Sequence, residues 1–180
     1  MGGNEGLRPK EGGLSPEAFA QGDLVVYPNH GAGYVEGVEE KTVLGEERRY
    51  YVVYIADGEL TLNIPADGAS GLRSCADERG VARAIEILGE GPEEMPEHWN
   101  HRLKHNQEKI RSGELWRVAE VVRDLSAYGV EHGLSTGERN LLAKARRILI
   151  SEVAMCKNLA ADETAALVDD ALGGAGEGSK

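Results

Sequence analysis

Three imidazoles and a tryptophan share one short segment, EHWNHRLKHNQEKIRSG at positions 97–113, and they are the groups best placed to do chemistry. His98, His101 and His105 recur at i, i+3 and i+7, a spacing that gathers them on one helix face. Neutral imidazoles could hold a metal there. A metal site also recruits a carboxylate or thiolate from a second element, and none stands at a matching spacing. The plainer reading is a solvated or phosphate-facing polar face, so no metal is expected. Trp99 stands beside Arg102, Lys104 and Lys109. A large aromatic among cations can wedge between or stack on nucleic-acid bases while the cations hold phosphates. It can equally be a core or inter-helix aromatic. The residue types alone leave both readings open.

No catalytic constellation competes with this segment. GAGYVE at 31–36 is glycine-rich but leads into a strand, so it lacks the helix N-terminus that would cradle a phosphate. No P-loop lysine motif or HExxH is present. Glu39, Glu40, Glu46 and Glu47 fall near strand ends and a hairpin tip, where solvated charge is the expected role. The chain therefore reads as a non-enzyme, with no cofactor and no small-molecule ligand expected.

Charge is distributed unevenly over the 180 residues. The whole chain carries 20 Lys and Arg against 31 Asp and Glu, a formal net charge of -11. Residues 99–147 reverse the sign, with 10 Lys and Arg against 6 Asp and Glu. Nucleic-acid affinity scales with the cations a surface can offer, so the acidic front cannot supply it and the middle third can, weakly. Only 5% of residues are aromatic, which makes each tryptophan more informative. The N-terminal stretch MGGNEGLRPKEGG has no apolar secretion segment, and no apolar run reaches membrane-spanning length. A cytoplasmic protein without membrane contact is expected. Cys75 and Cys156 match no metal or redox spacing and are expected to be reduced and buried, with an inter-helix disulfide as the lesser alternative.

The elements that must position Trp99 follow from periodicity. Residues 1–16 read as a disordered tail. Positions 17–66 form a β module: DLVVY is a strand, and PNHGAG is a turn with Pro28, Gly31 and Gly33 as breakers. YVEGVEEKTVL is a strand with a bulge or bend at Gly37, and RRYYVVYIA follows a turn at Gly45. Asp57-Gly58 predicts a two-residue type I′ hairpin into ELTLNI, with Leu60, Leu62 and Ile64 on one face. So many short strands in so short a span predict a small barrel or roll. Positions 67–172 read as helical, in a bundle of about five helices. Ser74, with Asp77 three residues on, predicts the first cap. A helix starting near Pro96 carries Trp99 to Arg111, and Leu115, Val118, Val122 and Leu125 mark the next. Ser135 to Glu138 is a capping box opening a long helix with Leu141, Leu142, Ala145, Ile148, Leu149 and Val153 inward. DETAALVDDAL is the last helix, and 173–180 is a flexible tail. The fold class is α+β, in two domains.

Five segments in order, FAQGDLVVYPNHGAGYVEGVEE, ELTLNIP, WNHRLKHNQEKIRSG, VAEVVRDL and GLSTGERNLLAKARRILISEVA, resemble the CarD/CdnL family of bacterial RNA polymerase-binding transcription regulators. The similarity covers about residues 18–172. It implies that the β part is a Tudor-like RNA polymerase-interaction domain of the kind also found in transcription-repair coupling factors, pairing an exposed strand with the polymerase β subunit. It implies that the helical part binds promoter DNA and stabilises the open complex through a tryptophan wedged in the minor groove at the upstream edge of the bubble. By position Trp99 takes the wedge role, and the nearby basic residue Arg102 is expected to contact the DNA with it. Lys104 and Arg139 match family DNA-contacting lysines. Lys41 and Asn63 stand where family members carry polymerase-facing arginines, Lys41 keeping the charge and Asn63 losing it, and Leu60 and Leu62 on the strand of Asn63 are expected to bind the polymerase with them. The implied location is with the nucleoid, through the polymerase. The alternative is a protein–protein adaptor whose helical part binds another protein with Trp99 as the anchor. A steep loss of affinity with salt would mark the DNA binder and not the adaptor.

Overall fold

The computed structural model describes residues 19–67 and 71–174; the tail expected at 1–16 and positions 175–180 lie outside the described residues. Five strands, β1 (Leu24–Tyr27), β2 (Gly31–Val43), β3 (Glu46–Ile55), β4 (Leu60–Pro65) and β5 (Arg73–Ser74), form one antiparallel sheet in the order β4-β3-β2-β1-β5. The ends of the sheet do not meet, so the closed barrel expected from strand number is corrected to an open sheet. The reason is length: β1 pairs over four residues and β5 over two, too little to carry the ladder around to β4. The sheet also runs past position 66, where the sequence reading ends the β module, because Val26 pairs with Arg73.

Turn chemistry sorts the hairpins differently from their sequence signals. The two-residue turn with positive φ at both positions is Leu44-Gly45, at φ 55° and 84°, between Val43 and Glu46. Leu44 accepts a conformation that its side chain disfavours, and it is 99% exposed there, so no packing opposes it. Asp57-Gly58 is a hairpin but not a two-residue one. Ile55 pairs with Leu60 across four residues, with positive φ at Gly58 and Glu59. The bulge expected at Gly37 is present as a register shift between Val35 and Gly37. Gly31 and Gly33 lie inside β2 rather than in the turn. A Cβ at Gly33 would stand 2.0 Å from the Tyr54 carbonyl oxygen, so only glycine fits against β3. The sheet buries Val25, Val35, Tyr51, Val53, Ile55, Ile64 and Leu72 as its own core.

Five helices follow: α1 (Glu78–Leu88), α2 (Trp99–Arg111), α3 (Leu115–His132), α4 (Thr136–Lys157) and α5 (Ala161–Gly174). The first is capped by Asp77, whose carboxylate accepts from the Gly80 N–H at 2.8 Å, three residues after the Ser74 expected for that role. The apolar stripes of α1, α3, α4 and α5 meet in a second core that includes Val81, Leu88, Val118, Val122, Leu125, Leu149, Val153 and Val168. No helix among the described residues is long and apolar enough to cross a membrane. Cys75 and Cys156 are free and half-buried rather than fully buried; a hydrogen bond with Cys156, and then burial, push the Cys75 thiol up.

The sheet is seated on α4. The Glu152 carboxylate is fully buried and takes both guanidinium nitrogens of Arg73, at 2.7 and 2.8 Å, and the Ala76 N–H at 3.0 Å. On the residue just before it, Ser151 Oγ accepts the Ala32 N–H at 3.1 Å, and a Cβ at Gly31 would meet that oxygen at 2.7 Å. Arg147 adds an exposed contact to Asp57 at 3.2 Å. Arg73 also donates to the Gly113 carbonyl at 2.7 Å, which ties the α2–α3 turn to the same point. Removing one partner of a buried pair strands the other charge away from water, at a cost of about 3–5 kcal/mol. Glu152→Ala is expected to lower unfolding stability by about 3 kcal/mol, the low end because Arg73 can turn to solvent, as read from the urea midpoint. A change under about 0.5 kcal/mol would show that the pair does not join the two halves.

Candidate nucleic-acid interface

Trp99 is the first residue of α2 and is 54% exposed, outside both cores. It is therefore not a core aromatic. His98 occupies the N-cap position with extended backbone but makes no side-chain cap bond. The start of α2 is held instead from below. Arg102, one turn on, is buried at 3% exposure and donates from Nη1 to the carbonyls of Pro96 and Glu97 at 3.0 and 2.9 Å. Its Nε donates to Glu138 Oε1 at 2.6 Å, and its guanidinium lies 4.0 Å over the Tyr128 ring. Arg102 is therefore corrected from a DNA-facing cation to an internal brace: it is buried, and its Nε and Nη1 already donate to Glu138 and to two carbonyls, so the charge is held inside rather than offered to a ligand. Lys109, also read as phosphate-holding, is likewise buried, 2.9 Å from Glu120 and 3.5 Å from Asp124.

Glu138 links this brace to the start of α4. Ser135 Oγ accepts the Glu138 N–H at 3.3 Å, while Glu138 Oε2 accepts from the Ser135 N–H at 2.9 Å and from Ser135 Oγ at 2.6 Å. The capping box is thus the one expected, with Arg102 added on the second carboxylate oxygen. Residues 133–137, GLSTG, spell the G-x-S-x-G pattern of a hydrolase nucleophile elbow. That motif requires a strand before the serine, whereas here α3 precedes it and the hydroxyl is spent on Glu138. Ser135 is a cap.

The ten Lys and Arg residues of 99–147 divide in two. Arg102, Lys109, Arg123, Arg146 and Arg147 each lie within ion-pair distance of a carboxylate. Lys104, Arg111, Arg117, Arg139 and Lys144 have no carboxylate partner among the described residues. Lys104 is exposed on the outer face of α2. Arg139 is exposed beside the cap, donating to the Leu134 carbonyl at 2.6 Å and to Thr136 Oγ1 at 3.0 Å. Arg117 lies over the ring of Trp116, a second half-exposed tryptophan that the sequence reading passes over. Its signal was available, since it falls off the apolar stripe of α3.

The histidines do not converge. His98 and His101 have ring centroids 6.0 Å apart, all three are exposed, and no group of three potential metal ligands occurs among the described residues. On the sheet, Lys41 Nζ donates to Asn63 Oδ1 at 2.9 Å and lies 3.1 Å from Glu39. Lys41 and Asn63 thus share one face across β3. Leu60 and Leu62 project to the other face, where Leu62 packs on the sheet core and Leu60 stays exposed. The structure brings Lys41 and Asn63 together and separates them from the leucines.

Burial opposes the charged form of Glu138, but hydrogen bonds from Ser135 and Arg102 outweigh it and hold its carboxyl below the ordinary range. A folded-state pKa below the unfolded one stabilises the protein above the unfolded value, and that contribution is lost as pH falls through the folded value. Wild type is therefore expected to lose stability more steeply than Glu138→Gln as pH drops from about 4.5 downward, in urea titrations at a series of pH values. Parallel pH profiles for the two proteins would refute the coupling.

Comparison with known proteins agrees with this arrangement. Residues 19–75 match the CarD-like/TRCF RID domain, and residues 83–169 match the CarD C-terminal domain. YdeB of Bacillus subtilis (strain 168), named as a candidate transcription factor, is 36% identical over 143 residues, covering 78% of this chain and 94% of that protein. A solved structure, CdnLNt from Myxococcus xanthus, is 36% identical and covers 34% of this chain and 90% of its own, at a TM-score of 0.29 too low to argue from. With both halves matched in order and a relative at this identity, the chain belongs to the CarD family of transcription factors.

Proposed function

We propose that this transcription regulator docks on the RNA polymerase β subunit through its sheet and stabilises the promoter open complex by inserting Trp99 into the minor groove at the upstream edge of the bubble. The observation that carries the reading is Trp99 itself: an exposed indole on a helix start that is braced by Arg102 and flanked by unpaired Lys104 and Arg139. An aromatic wedge costs a few kcal/mol of unstacking on intact duplex, and less where the DNA is already opened. It therefore binds the melted junction better than the closed duplex and shifts that equilibrium by the difference.

The docking half is consistent with the same reading. β4 is an outer strand of the sheet, with its far edge open to a partner strand. Lys41 and Asn63 present a cation and an amide on one face next to that edge. Asn63 spends its carbonyl on Lys41, leaving its amide N–H groups to offer, where an arginine would offer a charged fork. Docking then works with one full cation rather than two, which is compatible with strand pairing as the main contact.

Two measurements test the proposal. Trp99→Ala is expected to shorten open-complex lifetime on one defined promoter by about tenfold, equivalent to about 1.4 kcal/mol, with polymerase binding unchanged. A lifetime equal to wild type would remove the wedge. Lys41→Glu is expected to reduce capture of the β subunit at least fivefold in a pull-down, and undiminished capture would remove the docking face.

A further inference from the structure

We propose that the groove between α2 and α4 is a second contact site for the nucleic-acid backbone, in which Arg111 and Lys144 hold phosphates of the strand leaving the Trp99 step. This rests on the DNA-binding reading above and extends it to residues further along α2 and α4, at Arg111 and Lys144. The groove encloses about 290 Å³ and runs between the two helices to Asn29 in the β1–β2 turn. Its polar lining is Arg111 and Gln107 from α2, Asn140 and Lys144 from α4, and Asn29. It holds two cations, three carboxamides and no carboxylate, in a chain with a net charge of -11.

Neither cation is committed elsewhere. Arg111 is exposed with no hydrogen-bond or ion-pair partner among the described residues, and Lys144 makes one long contact, 3.4 Å to Asn29 Oδ1. In the same stretch of sequence, Arg146 and Arg147 are held by Asp169 and Asp57. Carboxylates are thus present where cations serve the fold and absent around this groove. Arg111 also follows Lys104 by seven residues, which puts both on one face of α2 two turns apart, about 10 Å along the axis. Lys104, Arg111 and Lys144 therefore form a continuous cationic track from the Trp99 end of the helix toward the sheet. Cations with neutral amides between them suit a phosphodiester backbone, whose charges repeat and whose remaining oxygens accept hydrogen bonds. An acidic peptide has no such repeat.

The test is fluorescence anisotropy of the full chain on a fork-junction DNA across a salt series, comparing wild type, Trp99→Ala and the double variant Arg111→Gln/Lys144→Gln. Each phosphate contact contributes about 0.9 to the slope of log K against log salt. The double variant is expected to bind several-fold more weakly at low salt and to lose about 1.8 from the slope, for every DNA sequence tried. Circular dichroism identical to wild type would confirm that both variants fold. An unchanged slope in the double variant overturns the site whatever Trp99→Ala does, including the case in which inorganic phosphate alone binds the groove. Wild type that fails to bind the junction at low salt overturns it too. If Trp99→Ala binds like wild type while the double variant loses slope, the groove stands and the wedge falls, so the two readings fail separately.

Discussion

The constraint on which the rest depends is the burial of two carboxylates on one helix. Glu138 and Glu152 lie fourteen residues apart on α4, about 21 Å along its axis and on nearly the same face. Each is withdrawn from water, so each must be met by donors held in place, or the fold would carry an unpaid charge. Glu152 is met by Arg73 and the Ala76 N–H, which fixes the end of the sheet. Glu138 is met by Ser135 and Arg102, which fixes the start of α2. Helix α4 thus acts as a rule with the sheet at one end and Trp99 at the other. Neither end can drift without exposing a charge to an environment that cannot solvate it.

The same burial sorts the cations. A cation in a dry site needs a carboxylate, and Arg102, Lys109 and Arg123 each have one or more. These residues look, in sequence, like members of one basic run with Lys104 and Arg111. Their work differs entirely: one group neutralises internal acids, and the other faces solvent without a counter-charge. The local balance of +4 over 99–147 is therefore a poor guide to binding strength. What matters is that the unpaired five cluster on exposed positions of α2, on the start of α3 and on the flanks of α4.

Much of this was legible in the sequence, where the signals are local. The capping box at Ser135, the bulge at Gly37 and the apolar stripes of α3 and α4 depend on neighbours within one or two turns, and they stand as expected. Closure of the sheet was not legible, because it depends on how far β1 and β5 pair, and Arg73–Ser74 carries no strand signal of its own. The role of Arg102 was hidden for the same reason. Its partners Glu138 and Tyr128 lie 36 and 26 positions away, and only the packing of α2 on α3 and α4 brings them under it. Position along the family pattern identified Arg102 as basic and close to Trp99; it could not say which way the guanidinium points.

If the sheet docks and Trp99 wedges as proposed, the rigid link between the two faces has a thermodynamic consequence. A tethered site gains from its tether only as much as the tether's geometry allows, and a floppy linker dilutes the second site over the volume it explores. The Glu152 and Ser151 contacts leave Trp99 with little such volume to explore. Little intrinsic DNA affinity is then needed once the sheet is bound, and a high one would be a disadvantage. A protein that gripped duplex strongly by itself would bind closed and open promoter alike, and equal affinity for both states shifts nothing. The acidic total suppresses that uniform grip, since it opposes approach to any phosphate surface. On the proposed reading, the few unpaired cations and the indole remain effective at short range, where the two promoter states differ. On this argument the net charge of -11 and the exposed Trp99 belong to one design: the first lowers binding to both states, and the second restores it for one.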